Sequence, residues 1–61
     1  MFVQVVDNNT NKVLAKANTN NWATMMVQYV EGFRKEYTNA TVEWYYGDTA
    51  EGTPKTFKTF N

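Results

Sequence analysis

The stretch Asn21–Tyr37, NWATMMVQYVEGFRKEY, decides the fold. At about 100° per residue, Trp22, Met26, Tyr29, Val30, Phe33 and Tyr37 fall on one stripe, while Thr24, Gln28, Glu31, Arg34 and Lys35 fall opposite. This spacing predicts an amphipathic helix with one face to be covered. No other segment of the chain has a helical period, so strands must supply the cover. Asn18-Thr19-Asn20-Asn21 offers several side chains able to cap its start. Glu31 and Lys35 form a favourable i,i+4 pair. Gly32 sits inside the pattern at a cost of about 0.8–1 kcal/mol relative to alanine. It reads as a tolerated flank residue or as a point of close approach. Asn39 suits a left-handed residue ending the helix.

Two runs precede the helix. Phe2–Val6 has high β propensity, Asp7–Asn11 is a cluster of turn formers, and Lys12–Ala17 resumes an extended pattern. Together they predict a β-hairpin with Asn8, Asn9 and Thr10 as its loop and Val5 opposite Val13. Val3, Val5, Val13, Ala15 and Ala17 then point inward. Phe2, Gln4, Val6, Lys12, Leu14 and Lys16 point outward, and the lysines mark the second strand as an edge.

Two more runs follow it. Thr41–Tyr46 alternates, placing Val42, Trp44 and Tyr46 on one face and Glu43 and Tyr45 on the other. Gly47–Pro54 is a loop on composition, and Lys55–Phe60 closes the chain as a strand. Setting Tyr46 opposite Phe57 and Trp44 opposite Thr59 gathers three aromatics in one cross-strand cluster. The expected fold is a single α+β domain over residues 1–61, in the order ββαββ, with a four-stranded sheet and one helix across one face. The simplest sheet puts the first and last strands side by side and parallel at the centre.

The segments Glu43-Trp44-Tyr45-Tyr46 with Asp48, then Lys55-Thr56-Phe57, resemble the C-terminal hairpin of the streptococcal protein G immunoglobulin-binding domain, which reads Glu-Trp-Thr-Tyr-Asp-Asp and Thr-Lys-Thr-Phe. Domain size and element order are similar as well, and the motif spans roughly a quarter of the chain. The resemblance implies a β-grasp arrangement, shared with ubiquitin-like folds, with parallel terminal strands at the sheet centre. Trp44 is the one residue at a motif position that the family uses against the antibody Fc region. The helical Fc-contact residues have no counterpart here.

Composition bounds the function. The chain has 61 residues, six Lys and Arg against six Asp and Glu, no His and no Cys. At this length only about 60% of the unfolded surface is buried, and without disulfides or thiolate metal sites the two Trp, four Tyr and four Phe must compensate. The balanced charge argues against a nucleic-acid binder, which gains affinity from a basic excess. The chain offers no nucleophile–histidine set, phosphate loop or metal cluster, so neither catalysis nor a cofactor is expected. With Met1 as a native start and no apolar leader or span, a cytoplasmic protein without membrane attachment is expected.

What remains is surface. The outward sheet residues Phe2, Leu14, Tyr45 and Phe60, with Lys12 and Lys58 among them, are the candidate partner-binding set. Tyr45 and Phe60 are its expected anchors. The function expected on this basis is a small non-catalytic protein-binding module. It would be an accessory or inhibitory protein of phage or mobile-element type, acting by surface occlusion, or a homodimer through the same patch. The alternatives are single-stranded nucleic acid stacked on Phe2, Tyr45 and Phe60 with phosphates held by Lys12, Lys16 and Lys58, and an immunoglobulin-binding or engineered domain of the protein G type.

Overall fold

A computed structural model describes residues 1–61. The elements are β1 (Phe2–Asp7), β2 (Val13–Asn18), one helix, β3 (Ala40–Tyr45) and β4 (Lys55–Lys58). The helix is wound in two ways, as a π-helix over Thr24–Val30 and as an α-helix over Glu31–Glu36, and the whole is called α1. The architecture is the expected ββαββ α+β fold, a four-stranded sheet with one helix across one face.

The order within the sheet is β2-β1-β3-β4, and every neighbouring pair is antiparallel. The parallel central pair expected of the first and last strands is therefore replaced by β1 beside β3. Packing explains the choice. Val3 lies opposite Trp44 and Val5 opposite Val42, and all four are buried. β4 is only four residues long and begins and ends in lysine, which suits an edge. Since β2 and β3 both run antiparallel to β1, they run in the same direction, and α1 is the crossover between them.

The first hairpin turns where the sequence predicts, but its register differs. The carboxylate of Asp7 accepts hydrogen bonds from the N–H groups of Asn9 (2.8 Å) and Thr10 (2.9 Å). Asn11 adopts a left-handed conformation (φ 60°), after which the Asp7 N–H donates to the Lys12 carbonyl at 2.9 Å. A bulge between Val5 and Val6 then passes over Leu14, so Val5 pairs with Ala15 and Val6 with Val13. Val13, expected inside, is exposed.

The second hairpin is also shifted. Val42 faces Phe57 and Trp44 faces Lys55, in place of the pairs Tyr46–Phe57 and Trp44–Thr59. β4 ends at Lys58, although the Thr59 N–H still donates to the Ala40 carbonyl of β3. The Phe60 N–H donates to the Arg34 carbonyl, which ties that residue to the helix. β3 ends at Tyr45, so Tyr46 leaves the sheet and is exposed, although its ring still packs edge-on against Trp44 at 4.8 Å.

Asn21 caps the helix: its side-chain oxygen accepts the Thr24 N–H at 2.8 Å. The winding changes which residues are buried. Met25 and Val30 are the buried helix residues, five positions apart. At 3.6 residues per turn they would diverge by about 140°. The π-helix, whose N–H groups reach back five residues, as from Glu31 to the Met26 carbonyl, turns both toward the sheet. Trp22, predicted on the buried stripe, is instead 53% exposed. Toward its C-terminal end the helix keeps the predicted pattern: Tyr29, Phe33 and Tyr37 are half-buried and stack in sequence at 6.0 Å spacings.

Candidate functional site

The six predicted partner-binding residues do not form one face. Phe2 is half-buried, its ring 6.0 Å from Tyr45. Tyr45 is 8% exposed, and burial, with a smaller push from the Glu43 charge, raises its hydroxyl pKa above the ordinary value. A ring so enclosed cannot anchor a partner. Beside this pair, the Gln4 amide donates to the Glu43 carboxylate at 2.8 Å, which closes the middle of the sheet surface with a polar bridge. The β3–β4 loop folds back here too: the Asn18 side chain donates to the Asp48 carbonyl at 2.9 Å.

Phe60 lies away from Phe2 and Tyr45, against the helix, with the Arg34 guanidinium 4.1 Å from its ring centre. The residue opposite Thr41 is Lys58, on β4 at one side of the sheet, whereas Leu14 lies in β2 at the other. Lys12 is exposed in the first turn. The three rings proposed for base stacking are therefore not a common platform. Trp44, the position shared with the immunoglobulin-binding family, is buried.

Of the predicted set, Phe60 (53% exposed) and Leu14 (41%) are exposed apolar groups, and outside it so are Val13 (49%), Trp22 (53%), Val27 (66%) and Tyr46 (72%). The edge of the buried Trp44 joins two of them, at 5.2 Å from Trp22 and 4.8 Å from Tyr46, both near-perpendicular. Trp44 thus holds two exposed rings in place from below. Its indole N–H has no hydrogen-bond partner, consistent with a position enclosed by aromatic neighbours. On the helix, a shallow open depression of about 350 Å³ is lined by Ala23, Thr24, Val27 and Gln28.

The segments that carry these rings are poor in charge: no Asp, Glu, Lys or Arg occurs from Ala17 to Val30 or from Trp44 to Gly47. The Met1 ammonium nevertheless donates to the Thr19 carbonyl and lies 3.8 Å from the Asp48 carboxylate, and Lys55 pairs with Trp44 across the strands. Charge depletion with aromatic enrichment is the compositional mark of an interface core. The helical period conceals this surface, because it assigns Trp22 to the core and leaves Val27 as an incidental apolar residue on the polar side. The signal available in the sequence was the long gap in charge between Lys16 and Glu31.

No helix is long and apolar enough to cross a membrane. No family model, curated protein or solved structure matches the chain.

Proposed function

We propose that the chain is a small non-catalytic protein-binding module that presents the Trp22–Val27–Tyr46 surface to a partner and acts by occlusion. The supporting observation is the exposure of two aromatic rings and a valine in segments of the chain poor in charge. Trp and Tyr are the residues that most often carry binding energy, and rings fixed before binding lose little entropy on docking. The rigid ββαββ scaffold and the Trp44 support beneath the rings provide that fixation.

The test compares three immobilised forms in capture from lysate of the cells that make the protein. Wild type and a Phe2→Ser, Leu14→Ser variant are expected to retain the same partner, and a Trp22→Ser, Tyr46→Ser variant to lose it. Equal capture by the last variant, with its fold intact by circular dichroism, would move the site elsewhere. A second mode is supported by the edge of the sheet. β2 is paired on one side only and exposes Val13 and Leu14, so an extended partner strand could add there.

A further inference from the structure

We propose that α1 is a two-register switch, whose N-terminal half exchanges its π winding for an α winding and so withdraws Trp22 from the surface. The switch stands on the helix alone. Its consequence for binding rests on the Trp22 surface proposed above.

Nothing in the covalent chain imposes the π winding. Thr24–Val30 contains neither proline nor glycine, and its Met and Gln side chains suit an α-helix well. The hydrogen bonds on either side are of α type: the Met25 N–H donates to the Asn21 carbonyl at 2.9 Å, and the Tyr37 N–H to the Phe33 carbonyl at 3.0 Å. Between them the ladder slips by one residue, as in the bond from Glu31 to Met26. A π segment of seven residues is long for this conformation, which occurs mostly as single turns and frequently at functional sites.

What selects the slip is the joint burial of Met25 and Val30, and the residue after Met25 is also a methionine. Undoing the slip returns the Glu31 N–H to the Val27 carbonyl and turns Met25 about 140° from Val30. Met26, four residues before Val30, then comes within about 40° of it. One methionine leaves the core as another enters. The buried volume is conserved, and the flexible thioether adapts to the slot. Trp22, four residues before Met26, follows it onto the same face and joins the half-buried Tyr29, Phe33 and Tyr37. Its ring already lies 5.2 Å from that of buried Trp44. The outer side offers little resistance, since Ala23, Val27 and Gln28 are exposed.

The π state is the ground state because it buries Met25 completely. The α state is its minor partner, at a population on the order of 1%. Exchange between helix registers falls in the microsecond to millisecond range.

Methyl relaxation dispersion on the methionines reads such exchange, with the β4 amides as an internal control. Met25 and Met26 are expected to report one common rate and population, and the β4 amides flat profiles. Met26→Gln places an amide in the core slot of the α state alone. It is expected to lower the minor population by about 10–100-fold, which abolishes the dispersion at Met25. Met25→Gln is expected to raise that population by a similar factor and to shift tryptophan emission to the blue as Trp22 becomes covered. Flat profiles at Met25 and Met26 overturn the switch, whatever Met25→Gln does to the fold. Dispersion that Met26→Gln leaves unchanged overturns it too, because the motion then lies elsewhere. Either result leaves the binding surface standing if the Trp22→Ser, Tyr46→Ser variant loses its partner.

Discussion

The guanidinium of Arg34 lies 4.1 Å from the centre of the Phe60 ring and 5.5 Å from that of Phe57. The Arg34 Nε–H also donates to the Lys58 carbonyl at 2.7 Å, and the Phe60 N–H donates to the Arg34 carbonyl at 3.0 Å. One side chain therefore clasps the end of the chain to the helix by charge, by stacking and by hydrogen bonding. A double-mutant cycle on Arg34→Leu and Phe60→Ala, followed by urea unfolding, is expected to give a coupling energy of about 0.5–1 kcal/mol for this partly exposed pair. Arg34→Lys is expected to behave like Arg34→Leu, since an ammonium cannot stack flat on the ring. Strict additivity of the two single changes would show that the stack contributes nothing.

Helix winding makes a prediction that separates adjacent methionines. Met25 is fully buried, whereas Met26 is only partly so. Met25→Ala is expected to cost about 2–5 kcal/mol, enough to unfold much of so small a domain. Met26→Ala is expected to cost clearly less. A straight α-helix with the stripe read from the sequence predicts the opposite ranking, so thermal unfolding of the two variants decides the winding.

At Gly32 the structure resolves the two readings left open by the sequence. A β-carbon built there meets nothing within 4 Å, and the backbone is not left-handed. No close approach requires the glycine. Gly32→Ala is therefore expected to stabilise the protein by about 0.4–1 kcal/mol, visible as a higher urea midpoint at unchanged slope. A loss of stability would mean that the α-wound half of the helix depends on the freedom of a glycine backbone.

Asp7 makes the first turn sensitive to acid. Hydrogen bonds from the Thr10 and then the Asn9 backbone N–H groups favour its carboxylate and hold its pKa below 3.8. A lowered folded-state pKa means that the unfolded chain takes up the proton first as pH falls. The contribution of Asp7 is thus complete above its unfolded value and is lost as pH drops from 3.8 through the folded value. Asp7→Asn keeps an oxygen acceptor without a titrating charge. Its melting temperature is expected to fall less between about pH 5 and pH 2 than that of wild type. Parallel curves for the two proteins would show that the turn has no linked proton.

The sequence disclosed the elements better than their pairing. Alternation in Val3–Val5 and Val42–Trp44 is a local property, and the inward faces it indicates are the faces buried. The order of strands is a contest between long-range pairings, and an element list alone does not decide it. Lysines at both ends of β4 held the relevant clue, since they suit an edge as well as those around β2 do. Register failed for a smaller reason: the Asn11 conformation and the bulge at Leu14 each alter the count by a residue, and neither has a periodic signature. The exposed surface was misread because the π-helix turns Met25 inward, leaving Trp22 outside.

The position of β1 between β2 and β3 has a consequence for how the chain assembles. β2 is available to it after a short turn, but β3 follows only once the whole helix has been made. The β1–β2 hairpin can form early, with one flank of β1 open and its inner valines uncovered until the distant strand arrives. Closing that gap joins residues far apart in sequence and is the slow step expected of the fold. Backbone amides of β1 should then be among the last to exchange with solvent deuterium. Those of β4, a four-residue strand bonded on one side, should be among the first.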